Sequence, residues 1–208
     1  MADNAIQITP HVIAWLDLFG IAVFAASGAL AAAKRQQTLV TFAFFALVTG
    51  VGGGTVRDLL IGAPVFWVHD GTFAATCLGT AGLVWLTPVS VWNERALDWF
   101  DAVGIAIYAV FGAWKALSLG IEPLPAMMMG VITACVGGII RDVLAGEPSI
   151  LLKPEIYVTA AALASGLFVL LLWFGAPLLV AAIVSAAAGF TLRAMAIVKG
   201  WAIPAYKR

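Results

Sequence analysis

A stretch of this chain recurs 84 residues further on without a gap, and that duplication limits the fold more than any local propensity does. With the offset held fixed, Asp17 falls on Asp101, Gly20 on Gly104, Gly28 on Gly112 and Thr49 on Thr133. The string Gly53-Gly54-x-x-Arg57-Asp58-x-Leu60-x-Gly62-x-Pro64 falls on Gly137-Gly138-x-x-Arg141-Asp142-x-Leu144-x-Gly146-x-Pro148. A unit of this length exceeds the period of about 20–50 residues that marks solenoids and arrays. It describes two homologous halves.

What each half is made of follows from composition. The chain of 208 residues is 63% hydrophobic and 11% charged, where an ordinary soluble domain is roughly 25% charged. It reads as an all-α integral membrane protein. Apolar runs between polar punctuation place spans near residues 12–33, 38–61, 71–86, 100–119, 124–145, 156–173 and 177–198, by the rule that about 20 residues cross ~30 Å of hydrocarbon. These seven spans form one transmembrane domain: repeat 1 over about residues 12–88, repeat 2 over about 99–174, and a further helix over about 177–198. Three crossings per repeat make the second copy enter the membrane from the opposite side, so the halves are expected to be inverted. Residues 1–11 contain no Lys or Arg, unlike the basic start of a cleavable signal peptide, and the first span is expected to be retained.

Cations in short loops set orientation. Lys34, Arg35, Arg95, Lys153, Lys199, Lys207 and Arg208 collect on one side, while the amino terminus and the link between spans six and seven have none. This predicts an outer amino terminus and a cytoplasmic carboxy terminus. Trp67, Trp85, Trp92, Trp99 and Trp173 fall near span ends, where amphipathic rings favour the headgroup layer.

A formal net charge of zero removes the argument for nucleic acid as a partner. Cys77 and Cys135 lie inside apolar runs and read as small core residues, and His11 and His69 read as solvated. The sequence holds no metal-ligand spacing, no phosphate loop and no nucleophile elbow. Neither an enzyme nor a metal or cofactor is expected.

The chemistry concentrates in the duplicated string. Gly52-Gly53-Gly54 lies ~21 Å along the second span at 1.5 Å per residue. Three adjacent glycines predict a kink or an unwound turn against an aqueous cavity. Close helix packing is the other reading, because Gly50 and Gly54 make a small-xxx-small pair. Thr55 and Asp58 have the spacing of a capping box, which would restart a half-helix. Gly137 and Gly138 follow Val136 in the second copy, which lacks the third glycine and the hydroxyl, so its kink is expected to be shallower.

Arg57 and Arg141 stand inside spans, where an arginine costs about 2.5–3.5 kcal/mol on insertion scales unless it faces a partner or water, or snorkels to the headgroups. Inversion puts one at each mouth of any path along the pseudo-two-fold axis. It predicts two ion pairs, Asp17 with Arg57 and Asp101 with Arg141, since sequence neighbours such as Arg57 and Asp58, or Arg141 and Asp142, point different ways on a helix. Lys115, whose repeat equivalent is Ala31, is a candidate pore cation or anionic-lipid contact. Tyr108, Ser27, Thr49 and Thr133 offer polar atoms to a wet path, although hydroxyls in membrane helices also bond their own backbone.

The strings Gly-Gly-Gly-Thr-Val-Arg-Asp-Leu-Leu and Gly-Gly-Ile-Ile-Arg-Asp-Val-Leu, with their following Gly-x-Pro, resemble those of the bacterial relatives of the trimeric intracellular cation (TRIC) channels. That family is also labelled UPF0126 and glycine transporter domain. The resemblance covers both repeats, and it implies a homotrimer in the bacterial inner membrane with an hourglass pore inside each protomer, lined by spans one, two, four and five. It implies conduction of potassium with some sodium, and kinks at Gly52, Gly53, Gly54, Gly137 and Gly138. The Lys-Glu-Val motif through which animal members bind phosphoinositide has no match at the corresponding place. An inverted-repeat secondary transporter of a small amino acid such as glycine is the alternative, because discontinuous helices at a repeat interface also mark substrate sites.

Overall fold

The computed structural model describes residues 10–88, 91, 92, 95–152 and 156–202. Its elements are the helices α1 (Pro10–Lys34), α2 (Leu39–Leu60), α3 (Phe66–His69), α4 (Gly71–Leu86), α5 (Ala96–Ser118), α6 (Pro123–Ala145), α7 (Val158–Trp173) and α8 (Leu178–Lys199), with a 3₁₀ turn at Ile150–Leu152. Five of them, α1, α2, α5, α6 and α8, are long and apolar enough to cross a membrane, and α4 and α7 are apolar helices of 16 residues. Every expected span has its helix, with ends displaced by at most four residues. The amino terminus, the His11 side chain, Lys153, Lys207 and Arg208, on which expectations above also rest, lie outside the described residues.

Local signals account for several helix ends. Thr38 caps α2 by accepting from the Thr41 amide at 3.5 Å, and Asp70 caps α4 by accepting from the Thr72 amide at 2.9 Å. Hydrogen bonding from Thr72 holds the Asp70 carboxyl below the usual carboxylate range. Gly146, at φ 66°, closes α6 in the left-handed conformation that only glycine adopts freely.

The inversion is visible in paired contacts. Gly20 of α1 lies against Tyr108 of α5, and Phe24, one turn further along α1, lies against Gly104, one turn back along α5. The two helices therefore run antiparallel. Likewise Gly53 of α2 meets the Thr133 backbone oxygen of α6, while Gly137 of α6 meets that of Thr49. A shift of 84 residues exchanges the members of each pair. Helix α8, outside the duplication, packs on α5 and α7.

The expected stop and restart in the second span is absent. Both α2 and α6 stay helical through their glycines, and the Thr55 hydroxyl donates to the Val51 carbonyl at 2.8 Å, one turn back, instead of capping a new segment. Close packing, the other reading, is present at Gly53 and Gly137. A Cβ on Gly53 would strike the Thr133 oxygen, one on Gly137 the Thr49 oxygen, one on Gly28 the Phe45 oxygen and one on Gly130 the Ala109 oxygen. Where another helix backbone fills that space there is no water to satisfy freed amides and carbonyls, and keeping the helical bonds is the lower-energy solution.

Candidate functional site: two buried charge clusters

Each end of the α2–α6 pair carries a cluster of charges built from the duplicated Arg-Asp step. At the Asp101 end, Arg141 is 1% exposed and bonds to the side chains of Asp101, Ser27 and Asp142. Its Nη1 donates to Asp101 Oδ1 at 2.7 Å and to Ser27 Oγ at 3.0 Å. Its Nε and Nη2 donate to Asp142 Oδ1 at 2.9 and 2.8 Å. The other oxygen of Asp142 accepts the Ile150 amide at 2.9 Å and so anchors the 3₁₀ turn.

The Asp17 end repeats half of this arrangement and changes the rest. Arg57 Nε and Nη2 reach Asp58 Oδ1 at 2.9 and 2.8 Å, and Asp58 Oδ2 accepts the Phe66 amide at 3.2 Å, at the start of α3. Residues 58 and 66 are the repeat equivalents of 142 and 150. Lys115 Nζ then adds bonds to both Asp58 oxygens, at 2.9 and 3.1 Å.

The pair predicted between Asp101 and Arg141 is present. The pair predicted between Asp17 and Arg57 does not form among the described residues. Asp17 Oδ1 instead accepts from the Tyr108 hydroxyl at 2.7 Å, and Arg57 sets its guanidinium 5.7 Å from the Phe111 ring centre. The reason lies where the repeats differ. Phe24, the equivalent of Tyr108, has no hydroxyl, so Asp101 is left to Arg141. Phe111 stands where Ser27 stands in the other half, and it offers a π face in place of an oxygen.

Sequence neighbours pair as well, against the expectation from helix geometry. Arg57 with Asp58, and Arg141 with Asp142, are ion pairs despite their adjacency. Side chains one residue apart leave a helix about 100° apart, but the guanidinium fork is long enough to fold sideways across that angle, and burial makes an unpaired carboxylate expensive.

The hydroxyls serve mostly their own helices. Ser27 donates to the Phe24 carbonyl at 2.9 Å while accepting from Arg141, and Thr133 donates to the Met129 carbonyl at 2.6 Å. Thr49 is buried against Gly28. Lys115 is 22% exposed, the most open member of the ion pairs in either cluster. Replacing it with Gln leaves Asp58 its guanidinium fork and the Phe66 amide, so the expected loss is small, about 1 kcal/mol after allowance for solvent. Melting of the purified protein checks this: a drop as large as that of an arginine variant would contradict it.

One buried charge has no sequence expectation behind it. Arg193 of α8 is 1% exposed, donates to the Ile156 carbonyl at 3.3 Å and lies over the Tyr157 ring at 5.4 Å. An arginine inside an apolar span is itself a signal. Without a repeat counterpart it escapes an argument built on duplication. Arg35 and Glu147 also pair, at 2.6 Å, but both are exposed and such pairs contribute little.

Comparison with known proteins places this geometry in a family. The family model described as Glycine transporter matches residues 14–88 and 98–173, the two repeats. A UPF0126 inner membrane protein, YadS of Escherichia coli, is 44% identical over 155 residues, covering 72% of this chain and 73% of that protein. A UPF0126 membrane protein of Vibrio cholerae is 40% identical over 164 residues, covering 76% of this chain and 67% of that one. Among solved structures, the TRIC trimeric intracellular cation channel orthologue from Rhodobacter sphaeroides is 43% identical with a TM-score of 0.84, over 91% of this chain and 99% of that one. A structure described as giving the structural basis for conductance through TRIC cation channels is 29% identical with a TM-score of 0.85, over 95% and 98% of the two chains. The chain belongs to this family of multi-pass transmembrane proteins, the UPF0126 and TRIC-type family that the glycine transporter model describes.

Proposed function

We propose that the protein is a monovalent cation channel, permeable to potassium and to some sodium, with a pore between α1, α2, α5 and α6 of each protomer in a homotrimer. It would sit in the inner membrane with its amino terminus outside and its carboxy terminus cytoplasmic. The observation that carries this reading is the likeness, at 43% identity and a TM-score of 0.84 over 91% of the chain, to the TRIC cation channel orthologue.

The geometry suits it. Backbone meets backbone where Gly53 and Gly137 cross Thr133 and Thr49, so this crossing is closed, and the inverted pair α2 and α6 would have to part there for an ion to pass. Arginines at both mouths sit awkwardly with cation passage only if their charge is free. Here each is tied to carboxylates, which makes them braces that hold the pore helices rather than selectors. Purified protein in planar bilayers, with potassium and sodium exchanged across the membrane, tests the proposal: unitary currents that reverse near the potassium potential support it.

The second reading, a transporter of a small amino acid, is favoured by the description attached to the family model. Saturable glycine uptake into proteoliposomes without unitary currents would replace the channel by that reading.

A further inference from the structure

Cations hold the carboxylates of the duplicated Arg-Asp steps and one of the two aspartates of the helix starts. Asp58 takes Arg57 and Lys115, while Asp101 and Asp142 both take Arg141. Asp17 forms no ion pair among the described residues, and it is half-buried where Asp58 and Asp101 are fully enclosed. It nevertheless lies within electrostatic reach of Arg57, Lys115 and Asp58. These four charges come from α1, α2 and α5, three of the helices between which the pore is proposed.

A second observation shows where the Asp17 carboxylate would otherwise go. Arg57 Nη1 is buried and has no hydrogen-bond partner among the described residues. Its repeat equivalent, Arg141 Nη1, donates to Asp101 Oδ1 and Ser27 Oγ. At the Asp17 end Phe111 replaces the serine, and the Tyr108 phenol takes the aspartate by donating to Oδ1 at 2.7 Å. The ring of Tyr108 is fixed between Phe24, at 5.5 Å, and Phe111, at 5.8 Å, and Gly20, three residues along α1 from Asp17, leaves the space it occupies. A buried guanidinium donor without an acceptor is costly, so the phenol holds the aspartate against the pull of a nearby donor.

We propose that Asp17 is the carboxylate that a permeating cation meets at this mouth, and that Tyr108 keeps its charge available by holding it off Arg57. A carboxylate bonded to a neutral phenol keeps its full negative charge, whereas a bonded guanidinium cancels it. The two mouths then differ. Asp101, bonded to Arg141, presents little field to an ion, while Asp17 raises the local concentration of cations. The inference rests on the channel reading and adds to it the residue that gathers cations at one end. Tyr108 is a positioning residue in this scheme, since it acts only through Asp17.

The test uses Asp17→Asn, Tyr108→Phe and the Asp17→Asn/Tyr108→Phe double variant of the full-length protein. Tyr108→Phe gives this end the phenylalanine that stands at the equivalent position, Phe24, in the other repeat. Asp17 is then expected to move onto Arg57, so that adding Asp17→Asn to Tyr108→Phe lowers the melting temperature in detergent by about 2–4 °C. Asp17→Asn alone, whose amide oxygen still accepts from Tyr108, should move it by less than about 1 °C. If Tyr108 only braces Asp17, the bond is already lost in Tyr108→Phe, and adding Asp17→Asn leaves the melting temperature unchanged or raises it; that result overturns the inference. In planar bilayers, Asp17→Asn and Tyr108→Phe should each lower the single-channel conductance roughly twofold with low salt on one side of the membrane and leave it unchanged with low salt on the other. The effect should vanish near 1 M salt, where the Debye length is about 3 Å. Unchanged conductance at low salt, or an equal loss from both sides, overturns the role of Asp17, and should Tyr108→Phe fail to fold, the Asp17→Asn currents alone carry the decision. If wild-type protein passes no unitary current, the channel reading fails and takes the conducting role of Asp17 with it, while the melting data still decide whether Tyr108 holds Asp17 off Arg57.

Discussion

Replacing Arg141 with methionine is expected to remove about 3–5 kcal/mol of stability, the usual cost of stripping one partner from a buried ion pair. That is a large share of the roughly 5–15 kcal/mol that holds a folded domain together. Asp101 is fully buried and Asp142 nearly so, and without the guanidinium the one donor that still bonds either carboxylate among the described residues is the Ile150 amide, on Asp142. The measurable result is a sharp loss of folded protein from membranes and a much lower melting temperature in detergent. Neutralising the set, with Arg141→Met combined with Asp101→Asn and Asp142→Asn, should recover much of that loss, because removing a whole buried ionic group is often close to neutral. An Arg141→Met protein that melts like the wild type would mean that this cluster is hydrated and its ion pairs count for little.

The second large effect is expected at the α2–α6 crossing, and it separates glycines that look alike in the sequence. Gly53→Ala drives a methyl group into the Thr133 backbone oxygen and Gly137→Ala drives one into that of Thr49. A backbone carbonyl held in a helix cannot step aside, so each variant should lose about 1–3 kcal/mol through overpacking, or force the helices apart. Gly52→Ala meets only the Ile140 methyl at 3.4 Å and the Gly137 Cα at 3.7 Å. There the gain of up to about 1 kcal/mol in helix propensity should win, leaving the protein neutral or more stable. In bilayers, the wedge at residue 53 or 137 should raise the fraction of time spent conducting, and Gly52→Ala should not. Equal effects at all three positions would mean that the glycines act as one hinge and not as a crossing point.

Helix positions were legible because the membrane leaves so little choice: a backbone in hydrocarbon must satisfy its own hydrogen bonds, and apolar runs of span length have one way to do it. α3 was not legible, since four residues around Phe66–His69 carry no periodicity and owe their start to a distant carboxylate, Asp58. Arg193 was legible as a charge within a span and yet not as part of a site, because nothing in one helix says which face meets Tyr157.

The sequence by itself determined the duplication, the oppositely directed halves and the identity of the charges that each half would have to bury, since an 84-residue repeat and the cost of intramembrane charge are both properties of the chain read in order. The pairing of Asp101 with Arg141 was also readable there, but tertiary structure decided the contacts that cross between repeats. Asp17 takes Tyr108, Arg57 takes the Phe111 ring, Asp58 takes Lys115 and Arg141 adds Ser27, at positions where the copies differ, and those choices exist only once the halves lie side by side. It also decided what two of the glycines pack against: the missing side chains of Gly53 and Gly137 leave room for the opposing backbone at Thr133 and Thr49.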